Sequence, residues 1–204
     1  MSVRRKAVWS LGVRLAAATL LAATSASCGD AVRQGEGSSY LIIQALEAAS
    51  GAEPEEFEGV LFSDTLTIVE DVPSVFADNG RVTFRLGMKD PALSTSPSEA
   101  NFITVTRYRV RYIRADGRNT PGLDVPYGFD GGLTVTVGDG DAVGVFELVR
   151  HIAKAEAPLA ALTVNGVIIS TIAEVTFYGT DQTGREVSAV GRITVNFGNF
   201  GDPD

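Results

Sequence analysis

Three arginines alternate with bulkier side chains in Thr104-Val105-Thr106-Arg107-Tyr108-Arg109-Val110-Arg111-Tyr112. On an extended chain, successive side chains point to opposite faces. Arg107, Arg109 and Arg111 therefore share one face, and Tyr108, Val110 and Tyr112 share the other. Guanidinium groups about 7 Å apart on one face can hold a carboxylate, a phosphate or an acidic sugar. The plainer arrangement pairs them across a sheet with acids such as Glu174 or Glu147, as a salt-bridge ladder on a wet face. In a chain this acidic, the ladder is the expected one. A second feature is the long stretch 115–130, with Arg118, Asn119, Tyr127 and Phe129. Long loops on rigid scaffolds often carry function, and this mix suits a polar ligand such as a glycan. Its plainer reading is a self-packed loop whose aromatics cap one end of the domain.

Other chemistry finds little support. There is one histidine, His151, and one cysteine, Cys28, and no Gly-x-Ser-x-Gly nucleophile elbow. Zinc wants several His or Cys ligands, which this chain cannot supply. Asp139 with Asp141, and Asp116 with Asn119, offer oxygens for calcium, but Asp beside Gly is also ordinary turn chemistry. Glu53, Glu55, Glu56 and Glu58 sit in one acidic stretch, where a solvated face is the ordinary outcome. The expectation is a chain that is not an enzyme, with no catalytic residue, cofactor or metal. The binding candidates are Arg107, Arg109, Arg111, Arg118, Asn119 and Tyr127.

The first 28 residues carry Arg4, Arg5, Lys6 and Arg14 and no acid. Removing them leaves 13 of 17 basic residues against 25 acidic ones, a net charge of −12 where the whole chain has −8. Such a domain repels phosphate backbones, which argues against nucleic acid. The basic start, an apolar run to about Ala23 and small residues before Cys28 read as a secretory leader. Arg14 interrupts that run, which is too short for a transmembrane helix of about 20 residues. Residues 29–38 are polar and Gly-rich, as in a flexible tether.

Ser25-Ala26-Ser27-Cys28 resembles the lipobox of bacterial lipoproteins, in which small residues precede a cysteine that is lipidated. Ser25 stands where that pattern prefers Leu, so ordinary cleavage near Ala26 stays open as the alternative. The resemblance implies a leader over 1–27, a lipidated Cys28 and tether over 28–38, and attachment to a membrane through the lipid. Gly29, rather than an acid, follows the cysteine, which in such proteins points to the outer membrane. Lys6-Ala7-Val8 departs from a twin-arginine signal despite Arg4-Arg5, so the export route stays open.

Behind the tether, strand-like runs cover 40–46, 59–69, 80–89, 102–114, 132–137, 142–152, 164–178 and 187–197, separated by turn residues. Asp78-Asn79-Gly80 and Asp116-Gly117 read as turns, and 137–142 and 180–184 as hairpins. The one helical candidate is 155–162. Eight strands without intervening amphipathic helices predict an all-β antiparallel sandwich over 39–204. The run Thr176-Phe177-Tyr178-Gly179-Thr180-Asp181-Gln182-Thr183-Gly184-Arg185-Glu186-Val187 resembles the closing hairpin of immunoglobulin-like bacterial envelope domains. That resemblance implies an immunoglobulin-like β-sandwich of about seven to nine strands and no particular activity. The expected function is a non-enzymatic accessory or interaction module of the cell envelope, with an envelope protein or a glycan as partner. The alternative is a ligand-binding sandwich for a glycan or small anionic molecule, using 115–130 and the arginine face.

Overall fold

A computed structural model of the chain describes residues 38–89 and 97–201. Cys28, the leader and all of the tether before Ser38 lie outside the described residues. Ten strands follow one another: β1 (Ser39–Ala49), β2 (Val60–Asp64), β3 (Thr67–Val69), β4 (Val72–Ser74), β5 (Asp78–Met88), β6 (Ile103–Ile113), β7 (Phe129–Val137), β8 (Ala142–Val149), β9 (Ile169–Asp181) and β10 (Glu186–Gly198). A single helical turn, α1 (His151–Lys154), and a 3-10 segment, Leu159–Val164, lie between β8 and β9.

The strands form an all-β sandwich. One sheet has the order β1-β5-β8 and the other β2-β10-β9-β6-β7, with β3 and β4 as a small separate hairpin. All pairs are antiparallel except β2 with β10. The chain thus lays β1 on the first sheet, then crosses and adds β2 alongside the last strand.

Inward residues of both sheets make one core. At its centre Phe84 meets Phe177 edge-on at 5.0 Å, Phe177 meets Phe146 at 5.3 Å, and Tyr108 meets Phe146 at 4.9 Å. The edge-to-face contacts of Phe177 with Phe84 and Phe146 contribute beyond their buried area. Tyr112 is also buried, and its hydroxyl donates to the Leu148 carbonyl at 2.8 Å. Burial pushes that phenol well above its ordinary pKa, so it stays a neutral donor.

Strict alternation from Thr104 would put Val105 on the arginine face. A bulge between Val105 and Arg107 inserts one residue and resets the phase. Val105, Tyr108, Val110 and Tyr112 are all buried as a result, and Arg107, Arg109 and Arg111 face water.

The structure corrects several sequence expectations. Asp78-Asn79-Gly80 is not a turn but the start of β5, paired with Ala49 and Val149. Residues 137–142 do not close a hairpin: β7 and β8 belong to different sheets, so this link crosses between them. The run 59–69 breaks at Leu66 into β2 and β3, where Asp64 turns back to accept from Leu66 N and Thr67 Oγ1. The helical candidate 155–162 divides, with α1 before it and the 3-10 segment covering only its end. The hairpin at 180–184 is as expected, closed by Gly184 at φ 83° between β9 and β10.

The connections gather at two poles. The pole where β1 begins holds the end of β5 and the turns at 138–141 and 182–185. The far pole holds 50–59, 65–77, 114–128 and 150–168.

Candidate functional site

The outer face of the five-stranded sheet carries the arginines as a ladder. Arg109 straddles the Asp130 carboxylate, with Nε 3.1 Å from Oδ1 and Nη2 3.0 Å from Oδ2. Arg107 donates to the same group at 2.8 Å, and its guanidinium lies over the Tyr178 ring, 4.0 Å from the centroid. Arg111 donates to Glu174 Oε1 at 3.2 Å, while Arg192 takes Oε2 at 2.7 Å. Four guanidiniums thus share two carboxylates. The Arg109 hydrogen bond, foremost, holds the Asp130 carboxyl below its ordinary pKa. Glu174 is a partner as expected. Glu147 is not: it lies on β8, in the opposite sheet. Asp130, which opposes Arg109 in register on β7, takes the place that the sequence reading gave to Glu147.

The 114–128 loop is built largely by its own polar groups. Asp116 accepts from Arg114 Nη2 at 2.6 Å and from the Arg118 backbone and Nε at 3.1 and 3.2 Å. Those bonds, Arg114 first, lower its carboxyl to about 2. Asn119 Oδ1 accepts from Arg114 N at 2.6 Å, and Asp124 Oδ2 from Thr120 N at 3.1 Å. The Tyr127 ring covers Gly122, whose φ of 77° and lack of a side chain allow the close approach. Arg118, Asn119 and Tyr127 therefore serve the loop's architecture, and the pairing of Asp116 with two arginines takes the oxygen that the calcium idea needed. Asp141, from the other candidate pair, is held by Arg85 at 2.7 Å.

Between this loop and the end of β6 lies an open cleft of about 440 Å³. Arg111 and Asn119 stand at it, and Ile113, Pro121, Val125 and Pro126 wall it. Of the six binding candidates, the structure brings only Arg111 and Asn119 to this cleft. Arg107 and Arg109 lie farther up the ladder, outside its lining.

The same pole is rich in exposed apolar side chains. Val164 is 90% exposed and Leu123 70%, and Ile68, Val69, Val72, Ile152, Val167 and Ile168 are also open to water. The turns 138–141 and 182–185 at the other pole carry none.

Beneath this pole lies a buried ion pair absent from the sequence reading. Lys154 on α1 donates to Asp78 Oδ1 at 2.8 Å, with the two residues 2% and 0% exposed. Ser63 Oγ donates to Asp78 Oδ2 at 2.6 Å and Gly51 N to Oδ1 at 2.9 Å. One carboxylate thereby ties together the first connection, β2, β5 and α1. Burial pushes the Asp78 carboxyl up, and the Lys154 ammonium pulls it partly back. His151, the only histidine, opens α1 and is exposed.

Among the described residues no three His, Cys, Asp or Glu side chains gather to hold a metal, and no helix is long and apolar enough to cross a membrane. No protein-family model matches the chain, and no curated protein matches it either.

Proposed function

We propose that the chain is a non-enzymatic cell-envelope module, carried on a lipid at Cys28 and a tether running to residue 38, that engages a protein partner with its far pole. The observation that carries this reading is the polarity of the sandwich. The chain enters β1 at one pole, whose described turns are polar. The opposite pole presents Val164, Leu123 and the other exposed apolar side chains. β1 is 11 residues long, which separates the two ends by about 35 Å. Apolar clusters held open to water on loops mark interaction surfaces. A protein suits this surface better than a bilayer, because the same connections carry Glu70, Asp71, Asp116 and Asp124. Carboxylates are costly in hydrocarbon and are repelled by anionic lipid.

The test places a photo-crosslinking side chain at Val164, at Leu123, or at Gln182 in the opposite pole, in native envelopes. Adducts are expected from the first two positions and not from the third. Equal labelling at Gln182, or none at any position, ends the reading. In a second arm, Cys28→Ala should release the protein from the membrane fraction. A variant that still sediments with membranes, with no lipid in the intact mass of the parent, removes the anchor from the proposal. A second reading, a ligand-binding sandwich, is favoured by the cleft beside β6.

A further inference from the structure

We propose that the cleft beside β6 binds a carboxylate carried on an aliphatic body, with Arg111 taking the charge. Ile113 and Pro121, backed by the buried Val125 and Pro126, take the body. This deepens the ligand-binding reading and rests on it.

The charge argument begins with the ladder. Arg109 spends its fork on both oxygens of Asp130, and Arg107 is held by Asp130 and by the Tyr178 ring. Arg111 makes one longer bond, 3.2 Å to Glu174, and its side chain is 62% exposed. Arg192 holds the other oxygen of Glu174 at 2.7 Å, so that carboxylate is already neutralised without Arg111. Arg111 therefore keeps most of its fork for an incoming group. A guanidinium edge takes a carboxylate through two parallel hydrogen bonds. Gly128 runs close beside Arg111: a side chain there would lie 2.8 Å from the Val110 carbonyl and 3.7 Å from Arg111 Cγ.

The walls decide the rest of the ligand. A sugar needs several hydrogen-bonding groups and an open aromatic face. Here Asn119 Oδ1 is committed to Arg114 N, and Tyr127 does not line the cleft. What remains is the surface of Ile113 and Pro121, with the buried Val125 and Pro126 behind it, and that surface rewards an apolar body. One cationic side chain lines the cleft, which matches a single carboxylate rather than a phosphate. The volume of about 440 Å³ lies within the usual range for small-ligand sites. The Asp116 and Asp124 bonds hold the loop in place beforehand, which lowers the entropy lost on binding.

Two sources share this chemistry: a free aliphatic acid and the C-terminal carboxylate of an apolar peptide. The test uses the full exported chain carrying Cys28→Ala, so that no attached acyl chain competes. The probes are octanoate, octanol, N-acetylated trivaline with a free or amidated terminus, glucuronate and inorganic phosphate, followed by calorimetry. At least one free carboxylate probe, octanoate or the peptide acid, is expected to bind with Kd of about 0.1–1 mM. Its uncharged counterpart should bind at least about tenfold more weakly. Binding of octanoate alone names a free acid, and binding of the peptide alone names a chain terminus. Arg111→Gln should weaken binding about tenfold or more, and Arg111→Lys less. Arg85→Gln, on Asp141 at the opposite pole, should leave affinity unchanged.

Failure of both carboxylates to bind, or an equal loss in Arg85→Gln, overturns the proposal. Tight glucuronate or phosphate binding that Arg111→Gln abolishes overturns the aliphatic class and keeps the cleft as a ligand site. No binding by any probe, with crosslinking at Val164 intact, ends the cleft as a ligand site and leaves the partner-binding pole standing.

Discussion

Lys154 with Asp78 and Arg109 with Asp130 are ion pairs of nearly equal length, 2.8 and 3.0 Å. Their surroundings differ. The first pair is sealed beneath the far pole, with side chains at 1% and 0% exposure. The second stands on the outer sheet face, nearly half exposed. Water screens the second pair and would hydrate either member if the other were lost. Neither member of the first pair has that recourse, so each depends on the other. Length alone therefore says little about what a salt bridge does here. The buried pair fixes which segments meet beneath the binding pole. The exposed pairs set the charge of a face.

Removing one partner of each pair tests this contrast, and the largest effect belongs to the buried one. Lys154→Met keeps the volume and strands the Asp78 carboxylate, which should cost about 3–5 kcal/mol in urea denaturation. Ser63→Ala, which removes only the 2.6 Å bond to Oδ2, should cost about 1–3 kcal/mol. If Lys154→Met costs under about 1 kcal/mol, water reaches the pair and the two sites are energetically alike.

On the exposed side, Arg109→Gln should move the melting temperature by no more than about 2 °C. Arg107 remains on Asp130 in that variant, 2.8 Å from Oδ1, so the carboxylate is not abandoned. A drop above about 8 °C would mean that the ladder carries stability on the scale of the buried pair and would erase the distinction.

Much of this contrast was legible in the sequence on one side and hidden on the other. The alternation of Arg107, Arg109 and Arg111 with Tyr108, Val110 and Tyr112 fixes their faces, because period two and hydrophobicity agree there. The bulge at Thr106 was not legible, since Val105 and Thr106 tolerate either face. Asp130 was missed because it lies far along the chain, after a loop whose length sets no register. Asp78 was misread for a definite reason. Asp-Asn-Gly is strong turn chemistry, yet Asn79 and Gly80 pair with Ala49 and Ala48 inside a sheet, and Phe146 packs where a Gly80 side chain would stand. The crossing at 137–142 was misread as a hairpin because glycines and aspartates favour a tight turn whether its strands pair or part. The cleft was half visible: the loop stood out by length, but only the fold shows that Arg111 lines one cleft with Pro121 and Val125. Its own hydrogen bonds use Asn119 for support rather than for a ligand.

The smallest expected effect is also the one with a sign, because acid acts oppositely on the two kinds of carboxylate. Asp116 has its carboxyl lowered to about 2 by Arg114 and Arg118, against about 3.9 for an unperturbed aspartate. A depressed folded pKa contributes stability above the unfolded value, and that contribution is lost as pH falls through the folded one. The loop should therefore loosen between about pH 4 and pH 2. Asp130, lowered by Arg109, follows the same direction on the ladder. Asp78 is raised, chiefly by burial, so its contribution is present in acid and declines as pH rises through its folded pKa. Amide hydrogen exchange separates the two. On acidification, Arg118 N, which donates to Asp116, and Arg114 N, which donates to Asn119 beside it, should lose protection. Gly51 N, which donates to Asp78, should keep it over the same range. Asp116→Asn should abolish the pH dependence at Arg118 while leaving that of Gly51 unchanged. Parallel loss of protection at Gly51 and Arg118 in the parent would show one cooperative unfolding event, and the buried pair would then not outlast the exposed one.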